Sequence, residues 1–287
     1  MSSWHRNHFL YFEEDGNSLA RTFITEQIFR NQLIDLFVKA LVRAEIRFIS
    51  RYVPQRSHEE RLTGSLVSEI DSSLFLIKKQ IKEKSLEMYD EPKTIDFFYK
   101  DLSRGGKIEK NTGADLEFIL VLDLPDYPFT IRSIVLQAKK ISSSAQLDMR
   151  QYETLLENND DDCAYLFYDT NLKTLTSPII LGLEDYDLKK NYEKAKSKGS
   201  SSFSIKYKDI LDGKPLSLFI YKSLFESFYG RTHHSFKNAL EYFDNLMYRD
   251  KRMIHDEDSF NGRLGIISIG KSISYSIVNN EVLSLDI

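Results

Sequence analysis

The sequence predicts an α/β protein: a mixed central sheet flanked by helices, preceded by an N-terminal helix and followed by an α/β extension. Three observations predict it. Two long stretches before residue 90 repeat apolar side chains at helical spacing. The centre then changes to short, near-continuous runs of Leu, Ile, Val and Phe, as buried strands require. A content of 41% hydrophobic and 13% aromatic residues over 287 positions can fill the core of one large domain. The organisation this suggests is a helical segment over residues 1–54 that packs on a core at 55–185. Residues 186–287 form an α/β extension of the same unit.

Taken in order, the first helix is expected from Phe23 to Tyr52, where Ile28, Leu33, Phe37, Leu41 and Phe48 recur before Pro54 punctuates the chain. The second runs from about His58 to Glu87 on a stripe of Leu62, Leu66, Ile70, Leu74, Ile77 and Ile81. Ser57 is placed to cap it, and Glu59 and Glu60 in its first turn face the positive end of the helix dipole. Leu116–Leu122 and Ile131–Ala138 are two apolar runs separated by Asp123 to Thr130, which holds Pro125 and Pro128, so they read as a β-hairpin. A helix over Ser144–Asn158, a strand near Ala164–Tyr168 and a short strand at Pro178–Leu183 follow. Lys194 to Ser202 reads as a mobile loop. Helices at Leu216–Phe228 and His234–Tyr248 precede strands at Leu264–Ile269 and Ile273–Leu283.

Composition removes several function classes. A single cysteine, Cys163, permits no internal disulfide and no cysteine-built zinc site, and its apolar neighbours mark it as a core residue. The polar start Met1–His8 carries no secretory segment, and no stretch approaches the roughly 20 apolar residues of a membrane span. A cytoplasmic protein without membrane contact is expected. The net charge of -4 does not advertise a nucleic-acid binder, although a whole-chain sum hides local patches. No glycine-rich phosphate cradle is present.

The chemistry concentrates on the hairpin. With its midpoint near Tyr127, position 115 pairs with 139 and position 117 with 137. Period two then puts Asp115, Glu117, Gln137 and Lys139 on one face at one end. Cleaving a phosphodiester calls for a hard divalent cation, a placed water and charge stabilisation on the phosphoryl oxygens. Mg²⁺ (or Mn²⁺) takes oxygen ligands, which Asp115, the Gln137 amide and the Ala138 carbonyl can supply. Lys139 stands where it can orient the attacking water or neutralise developing charge. One Asp binds Mg²⁺ weakly, so a second carboxylate should come from elsewhere; Glu59 and Glu60 are offered, with Glu69 read as a solvated helix residue. Glu117 is either a third acidic ligand or an edge residue facing solvent.

Gly113-Ala114-Asp115, an apolar strand, a turn, then Val135-Leu136-Gln137-Ala138-Lys139 resembles the PD-(D/E)xK nuclease superfamily, in its variant with Gln at the acidic position of the ExK element. The resemblance covers about His58 to Tyr168. It implies a restriction-endonuclease-like αβββαβ core, metal binding by Asp115 and Gln137 with support from Glu59 or Glu60, and catalysis by Lys139. It further implies a metal-dependent endonuclease acting on DNA rather than RNA, of the kind found in bacterial and phage-defence loci. Such enzymes act as homodimers or with a partner subunit. Gln137 removes a charge from the family pattern, which leaves open a binding-only descendant. Gln151, on the following helix, would line the substrate groove, as Glu117 would if it faces the site. His233-His234 and the His255–Asp258 run are not read as a metal cluster, because adjacent histidines point in different directions on a helix and the acidic run is a solvated loop; Arg104, Lys107, Lys110 and the lysines from Lys189 to Lys198 are weak candidates for phosphate contact.

Overall fold

The computed structural model describes residues 29–53, 57–101, 115–158, 162–170, 176–226, 228–248, 263–270 and 272. Helix α1 (Gln32–Tyr52) is capped by Asn31, whose Oδ1 accepts from the N–H of Leu33 at 2.9 Å and of Ile34 at 3.3 Å. Leu33, Phe37, Leu41, Ala44 and Phe48 form its buried stripe. The expected start at Phe23 lies outside the described residues. Helix α2 (Glu59–Tyr89) buries the predicted stripe from Leu62 to Ile81. Its N-cap is His58, not Ser57, and His58 makes no side-chain cap. The chain leaves α2 through Asp90 in the left-handed region at φ 55°.

Strand β1 (Thr94–Asp101), which periodicity did not single out, precedes the predicted hairpin of β2 (Leu116–Leu122) and β3 (Thr130–Ile141). Leu116 faces Leu136 and Leu122 faces Thr130, which centres the hairpin on Asp126 rather than Tyr127. The parity is unchanged, so each side chain keeps its expected face.

The helix expected over Ser144–Asn158 is divided. Ser144–Asp148 forms β4, and Met149–Asn158 forms α3. Burial alternates along β4, and Asp148 Oδ1 accepts from Gln151 N at 3.0 Å, so the helix starts at the capping aspartate. After β5 (Cys163–Asp169) and β6 (Ile179–Gly182), the basic segment expected to be a mobile loop begins as the end of a helix, and residues 197–201 form a turn. Helix α4 (Tyr186–Lys196) is capped by Asp185 and anchored by buried Leu188 and Tyr192. Only a tight turn through Gly199 separates it from β7 (Ser202–Lys206). Composition suggested a loop from Lys194, whereas a cap and an i,i+4 apolar pair carry the helix on to Lys196. Strand β8 (Lys214–Pro215), α5 (Leu216–Phe225), β9 (Arg231–Thr232), α6 (Phe236–Tyr248) and β10 (Arg263–Gly270) complete the described chain. The strand expected at Ile273–Leu283 lies outside the described residues.

Among the described residues, eight strands form one mixed sheet in the order β1-β10-β2-β3-β5-β6-β8, with β9 paired to β3; β4 and β7 form a separate pair. Strand β10 comes from the 186–287 segment yet stands between β1 and β2, antiparallel to the first and parallel to the second. Gly270 ends it at φ +106°, where a Cβ would lie 1.9 Å from the carbonyl oxygen of Asp123. One face of the sheet packs Phe118, Leu120, Leu136 and Leu166 under α1, α2 and α5. The other packs Val135, Tyr165 and Phe167 under α3 and α4, and Ile119, Val121 and Ile131 under α6. No helix among the described residues is long and apolar enough to cross a membrane.

Two buried carboxylates fasten the helical layer. Glu45 of α1 is 1% exposed and accepts from Ser217 N at 2.8 Å and Ser217 Oγ at 2.9 Å, which caps α5 across a long sequence gap. Glu69 of α2 accepts from Arg51 at 2.9 Å and pairs with Arg47 at 2.8 Å, which ties α1 to α2. Glu69 is therefore not the solvated residue expected, because a basic stripe on the neighbouring helix compensates its burial. Replacing Glu45 by Ala removes two charge-assisted bonds and should lower unfolding free energy by about 2 kcal/mol. Urea denaturation of the variant checks this, and an unchanged midpoint would show that the cap contributes nothing.

Candidate functional site

The site arises from a mismatch in strand length. Strand β3 spans 12 residues and its partner β2 only 7, so β3 runs on past the start of β2. The last backbone bond between them is Asp115 N to Leu136 O at 2.9 Å. Beyond it, the N–H groups of Ala138 and Lys140 on the β2 side of β3 need acceptors other than a strand. Two carboxylates serve. Asp115 Oδ2 accepts from Ala138 N at 2.8 Å, and Glu59 Oε1, from the first turn of α2, accepts from Lys140 N at 2.9 Å. The Ala138 carbonyl lies on the same edge, beside the bonded N–H of its own residue.

Gln137 completes the arrangement. It is fully buried, and its Nε2 donates to Asp115 Oδ2 at 2.5 Å and to Ala138 O at 3.2 Å. Two oxygens thus converge on one point, and an amide –NH₂ occupies it. The amide oxygen, Oε1, is buried with no hydrogen-bond partner among the described residues. Lys139 follows on the same face by strand alternation, half-buried, with no ion-pair or hydrogen-bond partner among the described residues.

Asp115, Gln137, Ala138 and Glu59 are therefore brought together, with Lys139 beside them. Glu60 is exposed on the neighbouring position of α2 and does not join them. Glu69 is held by Arg47 and Arg51. Gln151 donates its backbone N–H to Asp148, and its Oε1 is buried without a partner among the described residues. Gly113 and Ala114, the basic set at Arg104, Lys107 and Lys110, and the His255–Asp258 run lie outside the described residues. Of the later lysines, Lys189 pairs with Glu184, and Lys196 bonds the Tyr192 hydroxyl at 2.8 Å. Cys163 is a buried core residue, as expected.

Glu117 is neither a ligand of this set nor a solvent-facing edge residue. It is 4% exposed on a central strand, and burial, then the nearby Asp162, pushes its carboxyl well above the ordinary 4.5. Asp162 accepts from the Tyr242 hydroxyl at 2.9 Å, and the Tyr242 ring stands 5.4 Å from that of His233. His233 Nε2 lies 2.9 Å from Ser133 Oγ, and burial, Arg231 and His234 push its imidazole down to about 4. His233 is thus a buried neutral side chain.

Sequence reasoning missed Tyr165. Gln137 pairs with Tyr165 across β3 and β5, so their side chains stand on one face of neighbouring strands, and Asp115 bonds Gln137 from just before β2. Tyr165 is fully buried and its hydroxyl has no partner among the described residues. Burial, then Tyr152, Asp148 and Asp115, push its phenol up, so it stays protonated. No local signal marks it, because the β3–β5 register depends on the path through β4 and α3.

Among the described residues, no group of three or more His, Cys, Asp or Glu side chains gathers to hold a metal ion. The oxygen donors are instead two carboxylates, a carbonyl and an amide. No family model, curated protein or solved structure matches the chain.

The Glu117 environment has a consequence for pH. The folded chain binds this proton more tightly than the unfolded chain, so its contribution to stability is full below about 4.5 and falls as pH rises toward the folded value. Glu117→Gln should gain on the wild type progressively over a pH window that opens above about pH 5 in urea denaturation. A constant offset across that window would show that Glu117 does not carry a shifted proton.

Proposed function

We propose that the chain is a divalent-cation-dependent endonuclease that hydrolyses DNA phosphodiester bonds on a restriction-endonuclease-like core. The observation that supports it best is the convergence of Asp115 Oδ2 and Ala138 O on one point, with Glu59 bonded one backbone step further along. The resemblance carried by Gly113-Ala114-Asp115 and Gln137-Ala138-Lys139 favours a role as a restriction or anti-phage effector.

The donor set fits a hard cation. Asp115, the Ala138 carbonyl, the Gln137 amide oxygen and Glu59 would hold Mg²⁺ or Mn²⁺, with water completing the shell. When bound, the cation polarises a phosphoryl oxygen and favours ionisation of water. Asp115 fixes the geometry by staying bonded to the Ala138 N–H, which keeps its carboxylate from rotating. Glu59 is likewise held by the Lys140 N–H, leaving its second oxygen to orient water. Lys139, next along β3, would bring its ammonium toward these oxygens and offset negative charge developing on the phosphoryl group. Its half-buried position strengthens that attraction by excluding part of the solvent.

A specific observation supports a second reading, a nuclease-fold module that binds nucleic acid or a partner subunit of a defence complex without cutting. The Gln137 –NH₂ already bridges the two oxygens that a cation needs.

Incubating purified protein with plasmid and single-stranded DNA, with Mg²⁺ or Mn²⁺, separates the two. Cation-dependent cutting is expected, and Lys139→Ala and Asp115→Ala should each reduce it by about 100-fold or more while far-UV circular dichroism is unchanged. Cutting that persists in both variants would sink the assignment. A wild type that binds DNA and leaves it intact supports the binding module.

A further inference from the structure

The two buried orphan atoms on neighbouring strands, Gln137 Oε1 and the Tyr165 hydroxyl, call for a common explanation. An amide in this orientation turns its –NH₂ to Asp115 and Ala138 and its oxygen away from them. Holding a cation there demands the reverse. The amide oxygen must face Asp115 Oδ2 and Ala138 O across the ion, since oxygen facing oxygen with nothing between them is repulsive. The –NH₂ then takes the inward place where Oε1 now stands without a partner.

A buried amino group without an acceptor is a costlier defect than a carbonyl oxygen without a donor. The inward-turned –NH₂ therefore needs an acceptor on the β5 side, where Tyr165 is the cross-strand neighbour. A phenol oxygen suits both orientations, because it donates to an amide oxygen and accepts from an amide –NH₂. One buried water can span any gap that remains between the two side chains.

We propose that Tyr165 is a positioning residue of the cation site: its hydroxyl stabilises the turned Gln137 amide through one bridging water, and so sets how readily the site exchanges an amide –NH₂ for a cation. This rests on the cation site proposed above and deepens it. Tyr165 touches neither substrate nor cation; it acts through Gln137. A carboxylate at position 137 would not need this help, because its two oxygens are equivalent and either can face the ion. The role of Tyr165 is thereby tied to the amide, which gives the proposal a test that a general packing role would not pass.

The test is calorimetric titration of Mn²⁺ into the full chain as wild type, Tyr165→Phe, Gln137→Glu and the double variant. Near-UV circular dichroism and a thermal melt confirm that each is folded. Phe keeps the ring, and the hydroxyl it removes bonds no described residue, so folding should survive. Tyr165→Phe is expected to weaken Mn²⁺ binding by about tenfold in the Gln137 background. Gln137→Glu should bind more tightly than wild type, and adding Tyr165→Phe to it should change the affinity by less than about twofold. An equal loss in both backgrounds, or none in the Gln137 background, overturns the role of Tyr165 while the cation site stands. No Mn²⁺ binding by either wild type or Gln137→Glu removes the site itself, and binding confined to Gln137→Glu removes Gln137 as a ligand. Either of these also overturns the inference.

Discussion

The arrangement depends on a simple backbone obligation: the part of β3 that outruns β2 must find acceptors for its N–H groups. A strand that continues past its neighbour leaves alternate amides facing the vacated edge. Asp115 and Glu59 meet that demand for Ala138 and Lys140. The same two bonds fix two carboxylates along one strip of backbone, with a carbonyl oxygen between the bonded amides. Structural satisfaction and candidate chemistry thus have a single cause. A carboxylate anchored by one oxygen to an amide keeps its direction without help from a mobile neighbour.

The helical layer makes the Glu59 contact possible. Glu59 stands in the first turn of α2, and α2 is held to α1 through Glu69 with Arg47 and Arg51. In turn α1 is tied to α5 through Glu45 and Ser217. On the opposite face of the sheet, Tyr165 packs its ring near Tyr152 of α3, with ring centroids 6.4 Å apart. The pair of Gln137 and Tyr165 is therefore backed by α3 above, and α2 reaches the edge of β3 beside it. The acidic pair of Glu117 and Asp162 is a separate matter. It lies under α6 beside Tyr242, where the surroundings favour a protonated Glu117 rather than a charged ligand.

Much of this was legible in the sequence because it is local. The hairpin, the nearness of Asp115 to Gln137, and the stripe of α2 all follow from periods of two and 3.6. A one-residue error in the hairpin centre changed cross-strand partners but no face. The choice of Glu59 over Glu60 was not legible, because it depends on how α2 rolls against the sheet. Nor was the burial of Glu69, although Arg43, Arg47 and Arg51 recur at intervals of four on the preceding helix and could have signalled a partner. Ser144–Asp148 looked helical because its pairing partner, Ser202–Lys206, lies more than fifty residues away. Tyr165 stayed hidden because a parallel register is set by the intervening crossover and not by either strand.

The place of β10 bears on how the protein is made. Residues 263–270 stand between two strands that are complete by residue 122, so β1 and β2 wait for a neighbour supplied more than a hundred residues later. During synthesis both strands emerge with unsatisfied edges next to a gap one strand wide. Such non-local closure is slow and leaves pairing edges open to other chains. Strand β2, whose first residues position Asp115, gains its second neighbour only when residue 270 has cleared the ribosome. A nascent chain stalled before that point has the site residues in hand and lacks the sheet that holds them in place, so whatever the site does is withheld until β10 has been made and docked.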